Sequence, residues 1–305
     1  MILGIDMGGT NTRIGLVGDN MQLAGPCSIY ASRELVCADD PADALWEMIL
    51  DYLSGAGTQP EAVEKISVGV PSCVCSDLRT IFCAPNLIRS DGTLVFDHFN
   101  LADALEKRSK RPVLVNRDVN NLLCYDLEKH HLQGITAACY IGTGVGAAVS
   151  IGGKILLGRD GLAMEIGHLS LLQGDRPCGC GKKGCIETEA AGSRFQQLCK
   201  EHYPGEAWEK IFQEHATDTI VREYVRSCAY LPAMLATIFN PSALVLGGGV
   251  VEADGFPKSF FEEAILDLAA TTIRTKPPRF VYADHLPERG VIGAAMFAMS
   301  PGIIA

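Results

Sequence analysis

The sequence predicts an α/β protein built on an internal duplication, and three observations carry that expectation. The chain opens on an apolar strand over residues 1–5, a turn at Asp6-Met7-Gly8-Gly9-Thr10-Asn11-Thr12, and a second strand over 13–17. A similar strand–turn–strand unit returns at 137–151, around Gly142-Thr143-Gly144-Val145-Gly146. Between and after these hairpins, runs of helical period alternate with short apolar runs of strand type, the pattern of α/β folds.

The elements follow in order. Asp40-Pro41 reads as an N-cap followed by proline at the first helical position, and the run to Leu53 places Leu45, Met48, Ile49, Tyr52 and Leu53 on one face. Further helices are expected over 101–108, 119–132, 190–202, 219–239 and 258–270, with a kink at Pro232. Strands are expected at 65–70, 113–116, 243–246 and 279–283. A last helix over 290–299 should pack back onto the N-terminal half. The expected boundaries are a smaller domain of 1–117 plus 290–305 and a larger one of 118–289. Two Gly/Thr hairpins at duplicated positions resemble the actin-like, ribonuclease-H-like ATPase fold. There, two α/β halves flank a cleft and each offers one hairpin turn to the nucleotide phosphates.

Composition narrows the function classes. With 305 residues, 48% hydrophobic and 20% charged, the chain reads as a soluble globular protein of two domains or one duplicated fold. A formal net charge of −10 argues against nucleic acid as the main partner, since phosphate backbones need a basic surface. The first residues, Met-Ile-Leu-Gly-Ile-Asp, carry no basic n-region and are not expected to act as a signal peptide. No apolar stretch is long enough to suggest a membrane span. Together with the 12 cysteines in a chain this long, that points to a reducing cytoplasm rather than to a disulfide framework.

Three of those cysteines stand apart. Glu165-Ile-Gly-His168 precedes Cys178-Gly-Cys180-Gly-Lys-Lys-Gly-Cys185-Ile-Glu187, so three thiols and an imidazole cluster, with a carboxylate just outside each end. Zinc takes four tetrahedral N/S ligands, and a set of three Cys and one His leaves no open position for water or substrate. The expectation is a structural zinc site of His168, Cys178, Cys180 and Cys185 that fixes the loop presenting Glu165 and Glu187. The remaining cysteines read mostly as small hydrophobes. Cys73-Val-Cys75 has a second reading, as a metal or redox pair.

This stretch, with Gly161-Leu-Ala-Met-Glu165-Ile-Gly-His168 before it, resembles the signature of the ROK family of bacterial sugar kinases and sugar-responsive repressors. The resemblance implies that the His and three Cys bind zinc and that Glu165, His168 and Glu187 contact the sugar. One departure is Met164, where the family mostly has Gly.

The remaining motifs fall in place around it. Neither Gly-rich turn is a Walker P-loop, but exposed backbone N–H groups in such turns can cradle an anion. Gly8, Gly9, Thr10, Asn11 and Thr12, with Gly142, Thr143 and Gly144, are therefore the expected phosphate contacts. Asp6 is placed to orient a magnesium ion through water, its alternative being a turn-stabilising aspartate. Gly247-Gly248-Gly249, at the end of an apolar strand, matches the family's adenosine-side motif. Asp118, in Val113-Leu-Val-Asn116-Arg117-Asp118-Val119-Asn120, matches the catalytic aspartate that takes the attacking hydroxyl's proton; locally it also reads as a helix N-cap. Asn86, in Ala84-Pro85-Asn86-Leu87, matches the sugar-binding loop. His168 would serve both zinc and sugar, one ring nitrogen for each.

Arg117 is the sharpest departure, because most of these kinases have Asn immediately before the catalytic Asp. The string Asn116-Arg117-Asp118-Val119-Asn120 resembles the D-allose kinase branch, which would make Arg117 a sugar contact. Its alternative is to turn away and pair with an acid. The resemblance as a whole implies an ATP-dependent hexose kinase using ATP, Mg2+ and structural Zn2+, acting on the 6-hydroxyl of D-allose and forming a homodimer. Glucokinase, fructokinase and N-acetylmannosamine kinase are the alternatives of the same class. A sugar-sensing regulator is the alternative of another class, disfavoured because the first phosphate-turn strand begins at residue 1 and leaves no DNA-binding segment ahead of it.

Overall fold

A computed structural model describes residues 1–170, 174–299 and 302–304. The chain divides into two compact units, the first of Met1–Glu128, Lys154–Ala163 and Leu286–Ala305, the second of Lys129–Gly153 and Met164–His285.

The first unit opens with β1 (Ile2–Met7) and β2 (Asn11–Val17), an antiparallel hairpin that sets Asp6 opposite Arg13 and Met7 opposite Thr12. β3 (Ser28–Ala31) pairs antiparallel to β2, and α1 (Ser32–Cys37) and α2 (Pro41–Gly55) follow. β4 (Lys65–Val70) runs parallel to β1. β5 (Cys73–Val74), β6 (Thr80–Cys83) and β7 (Phe99–Asn100) form a small antiparallel sheet of their own. α3 (Leu101–Ser109) leads to β8 (Val113–Arg117), parallel to β4, and directly into α4 (Asp118–Lys129). The main sheet has the order β3-β2-β1-β4-β8.

The second unit repeats this plan. β9 (Ile135–Ile141) and β10 (Val145–Ile151) form the second antiparallel hairpin. After β11 (Lys154–Leu156), which belongs to the first unit, come α5 (Glu187–Ala190), α6 (Gly192–His202), α7 (Trp208–Glu214) and α8 (Thr219–Phe239). β12 (Ala243–Gly247) then runs parallel to β9. α9 (Lys258–Leu268) and α10 (Thr271–Thr275) precede β13 (Arg279–Tyr282), parallel to β12. The chain returns to the first unit with α11 (Arg289–Met299) and β14 (Ile303–Ile304), which pairs parallel with β11. The order β10-β9-β12-β13 reproduces β2-β1-β4-β8: a leading strand, its hairpin partner on one side, two parallel strands on the other. The duplication expected from the two turns is thus present in the strand pairing.

Packing explains why these sequences take these forms. β1 is apolar without alternation because both its faces are covered. Leu3 and Ile5 join the core built with Leu45 and Ile49 of α2 and Leu105 of α3. Ile2 joins Val17 with Val291, Ala295 and Ala298 of α11, which packs back as expected. The α2 cap is as read from the sequence: Asp40 accepts from the backbone N–H of Ala42 at 2.8 Å, Pro41 opens the helix, and Leu45, Met48, Ile49, Tyr52 and Leu53 are all buried. α8 carries Pro232 inside one continuous helix. Among the described residues no helix is long and apolar enough to cross a membrane.

Candidate active site

In each unit the polar groups singled out by sequence gather at the carboxyl ends of the parallel strands. Open α/β sheets bind ligands at such ends, because the strands stop there and loops with free backbone groups begin.

In the first unit, the β1–β2 turn is closed by Gly8 N–H donating to the Asn11 carbonyl at 2.8 Å. Gly9 and Thr10 are exposed, while Gly8 and Asn11 are half-buried. Thr12 differs from them. It is fully buried, and its hydroxyl shares a 2.9 Å hydrogen bond with Ser32, which in turn donates to the Gly8 carbonyl at 2.7 Å. Thr12 therefore braces the turn from behind, through a serine that no sequence signal marked.

Asp6 lies near the end of β1 with Arg13 Nη1 at 4.0 Å and about a fifth of its side chain exposed. Burial pushes its carboxyl above the usual range, against the opposing pull of Arg13 and Arg289. The two arginines favour its ionised form without offsetting burial, and a divalent ion would favour that form further. Asn86 is exposed in a tight turn, Leu87 N–H to Ala84 carbonyl at 3.0 Å, with Leu87 anchored in the core. Its backbone lies beside the phosphate turn: a methyl built on Gly9 would stand 3.5 Å from the Asn86 carbonyl oxygen. The structure thus brings Asn86 and the first Gly-rich turn together.

Asp118 is the first residue of α4, immediately after β8. It is half-buried, and its Oδ1 accepts from the Val119 N–H at 2.7 Å. Beneath it the junction is tied by buried asparagines: Asn116 donates to Asn121 and Asn120 donates to Asn116, each at 3.0 Å. These two bonds link the strand end to the first turn of the helix and help hold the corner in one geometry. Asn121 went unnoticed in the sequence although it adjoins the string that was read. Arg117 is buried, 7% exposed, and its Nη1 donates to the Ala163 carbonyl at 2.6 Å. The guanidinium therefore holds the end of the 154–163 segment, two residues before Glu165 in the chain.

In the second unit the cysteine loop is a miniature hairpin, with isolated bridges pairing Ser170 with Cys185 and Pro177 with Lys183. The knuckle at Cys178–Gly181 is closed by Cys178 N–H to the Lys182 carbonyl at 2.8 Å and Gly181 N–H to the Cys178 carbonyl at 3.0 Å. The ligand atoms of His168, Cys178, Cys180 and Cys185 all lie within 4.8 Å of one another. His168 Nδ1 is 3.5 Å from Cys178 Sγ, and Cys180 and Cys185 Sγ are 3.6 Å apart. A tetrahedral zinc with Zn–S bonds of ~2.3 Å spaces its sulfurs by ~3.8 Å, so the donor set and its spacing fit that ion. Burial, with the crowding of neighbouring thiols, pushes Cys178 up to about 12. A cation at the centre is what would let these thiols ionise together.

The two nitrogens of the His168 ring face different groups. Nδ1 faces the thiols, and Nε2 faces Glu165 Oε2 at 3.7 Å. Glu187 occupies the other flank, Oε1 3.8 Å from His168 Nδ1. Its second oxygen accepts from the Val145 N–H at 3.0 Å, and a methyl on Gly144 would stand 2.7 Å from it. Glycine at 144 is what allows this carboxylate to seat against the β9–β10 turn. The turn itself is held by Gly142 N–H to the Gly144 carbonyl at 2.9 Å and by Gly192 N–H to the Gly142 carbonyl at 2.8 Å; Thr143 at its tip is exposed.

The three glycines after β12 are not equivalent. Gly248 has φ +91° and lies against the backbone of Ile141, where a methyl would stand 2.5 Å from the Ile141 N, so glycine is required there by chain packing. Its N–H donates to Glu252 Oε1 at 2.7 Å. A methyl on Gly247 would stand 2.7 Å from Ala283 Cβ, whereas Gly249 is exposed and open. Of the three, Gly249 is the one whose backbone a flat ligand can reach.

The chain is similar in sequence and fold to known proteins. The model of the ROK family matches residues 2–300. The N-acetyl-D-glucosamine kinase of Pectobacterium carotovorum subsp. carotovorum is 29% identical over 320 residues, covering 97% of this chain and 98% of that protein. The glucokinase of Halalkalibacterium halodurans is 28% identical over 277 residues, 82% of this chain and 81% of that one. Among solved structures, a ROK family glucokinase from Streptomyces griseus in complex with glucose and AMPPNP has 26% identity and a TM-score of 0.71, covering 96% of this chain and 97% of its own.

Proposed function

The chain belongs to the ROK family, and on that premise we propose that it is an ATP-dependent sugar kinase transferring the γ-phosphoryl group of ATP to the 6-hydroxyl of an aldohexose. The observation that carries the reading is Asp118, a half-buried carboxylate on a braced strand–helix corner in the same unit as the first Gly-rich turn and Asn86. Phosphoryl transfer needs alignment, charge neutralisation and an acceptor for the attacking hydroxyl's proton. Asp118 takes that proton. The exposed N–H groups of Gly9 and Thr10 and the β9–β10 turn hold phosphate oxygens, and Asp6 orients magnesium through water. Gly249, with its neighbours Gly247 and Gly248, lies along the adenosine.

We assign the reading of the sugar's hydroxyls to Asn86, Asp118, Glu165, His168 and Glu187. His168, Cys178, Cys180 and Cys185 hold zinc, which with four protein ligands supplies rigidity rather than chemistry. His168 Nδ1 serves the metal, leaving Nε2 for the sugar beside Glu165.

D-allose is the substrate we assign, supported by the string Asn116-Arg117-Asp118-Val119-Asn120. A second reading, glucose or N-acetylglucosamine, is favoured by the names of the two relatives. A coupled ADP-release assay with Mg-ATP over allose, glucose, N-acetylglucosamine, mannose, fructose and N-acetylmannosamine decides between them by kcat/KM. Turnover with none of them in zinc-loaded protein would overturn the kinase reading. Asp118→Asn should keep sugar affinity while lowering kcat by ~10²–10⁴; comparable turnover in both proteins would remove Asp118 from the base role.

A further inference from the structure

The kinase reading leaves one feature of the first unit unused: the cysteines of the β5–β6 hairpin. β5 and β6 are antiparallel, and their register sets Cys73 directly opposite Cys83, with a bulge before the next pair, Val74 and Ile81. Val74 and Ile81 are buried, whereas Cys73 and Cys83 are both partly exposed. Directly opposed residues of an antiparallel pair have Cα atoms ~4.5–5.5 Å apart, inside the span of ~4.4–6.8 Å that a disulfide bridges. Neither residue lies in the zinc loop, which is in the other unit. We propose that Cys73 and Cys83 are a reversible redox site, closed to a cross-strand disulfide by a low-molecular-weight disulfide such as oxidised glutathione.

The chemistry is two successive exchanges. One protein thiolate attacks the small disulfide, forming a mixed disulfide and releasing one small thiol. The opposed protein thiolate then attacks the protein-side sulfur, closing the Cys73–Cys83 bond and releasing the second small thiol. The protein loses two electrons and two protons, and both small thiols leave reduced. Cys75 is the natural competitor, two residues from Cys73. Burial, with Asp77 and Asp160 nearby, pushes its thiol above the usual range, which lowers its thiolate fraction at neutral pH.

The position gives the bond a consequence, one that rests on the kinase reading. Cys83 ends β6, and the next residues are Ala84-Pro85-Asn86, the loop to which we assign a sugar contact. The hairpin's other strand supports the 158–163 loop: a methyl on Gly161 would stand 2.1 Å from the Val74 carbonyl oxygen. That loop ends at Ala163, the acceptor of Arg117. A cross-link at 73–83 thus restrains the start of the Asn86 loop and the platform beneath the 158–163 loop at once. The oxidised enzyme binds sugar less well.

The test uses zinc-loaded full-length protein, wild type and Cys75→Ser, equilibrated with oxidised glutathione, alkylated and mapped by mass spectrometry without reduction. The expected result in both proteins is a peptide pair joined through Cys73 and Cys83, lost on treatment with dithiothreitol. Cys73 and Cys83 carrying only glutathione, or remaining alkylatable, would overturn the proposal whatever the enzyme's activity. Kinetics then test the consequence separately: oxidation should raise the KM for sugar roughly fivefold, reversibly, and not in Cys73→Ser. A mapped cross-link with unchanged KM would leave the redox site standing and refute its link to Asn86.

Discussion

Met164, the departure that the sequence resemblance marks, is also where the backbone is strained. Its φ is +70°, the left-handed region, which costs an L side chain about 1–2 kcal/mol that glycine escapes. Glycine at this position gives back part of the gain, because it loosens the unfolded chain by about 0.5–1 kcal/mol relative to alanine. Met164→Gly also discards a half-buried thioether, so comparing it with the wild type mixes two effects. Met164→Ala isolates them: it discards nearly the same contacts and keeps the backbone cost. The difference between the two variants is then about 1–2 less about 0.5–1, a central value near 0.75 kcal/mol in favour of glycine. For a chain of this length that is about 1 °C in Tm, measured by differential scanning calorimetry in one buffer. The sign is the diagnostic, since in an ordinary helix or strand alanine is the more stable of the two. An alanine variant as stable as the glycine variant, or more so, would refute the strain at Met164. Because Glu165 and His168 follow directly, the glycine variant should also raise the KM for sugar while leaving that for ATP within about twofold.

Three further outcomes follow from the geometry. Arg117→Asn removes a charge-assisted bond to the Ala163 carbonyl, worth about 1.5–3 kcal/mol before water recovers part of it; Tm should fall by about 2–4 °C, and an unchanged Tm would show that the bond carries no weight. Cys180→Ser should lower the zinc content and raise the sugar KM with the ATP KM nearly unchanged, whereas full metal occupancy by elemental analysis would contradict the four-ligand site. His215 has Glu206 at 3.0 Å on one ring nitrogen and Asp218 at 3.1 Å on the other; its burial lowers its pKa, but hydrogen bonds to these two carboxylates outweigh that and raise it. A raised pKa stabilises the fold fully below the unfolded value of ~6.5, and that contribution is lost as pH rises through the folded pKa. His215→Gln should therefore lower Tm at about pH 6 and have little effect at about pH 9; a difference independent of pH would refute the pairing.

What could be read from the sequence divides along a physical line. The long elements carry their own signal: 65–70 and 219–239 have in the structure the bounds their patterns suggested, and the α2 cap and face are as read. β3, β5 to β7 and the helices α1, α7 and α10 are short for their type, and what specifies them is the sheet edge or helix they lie against rather than a period of their own. The site shows the same division. The cysteine cluster and the Gly-rich turns are contiguous in the chain, so their chemistry is visible before any folding. Thr12 with Ser32, Asn116 with Asn121, and Arg117 with Ala163 are contacts made by folding, and no pattern along the chain announces them.

Glu187 shows how far that difference reaches. By sequence it is the carboxylate that ends the cysteine motif. In the structure one oxygen stands 3.8 Å from the imidazole expected to bind zinc, and the other accepts from the Val145 N–H in the turn expected to hold phosphate. A carboxylate has acceptor capacity to spare beyond these two contacts, so a sugar hydroxyl can bind it without displacing either. The Glu187 side chain therefore links the cysteine loop to the β9–β10 turn. On the proposed reading, loss of metal is expected to be felt in the turn as well as at Glu187, with Gly144 the residue whose missing side chain allows the connection.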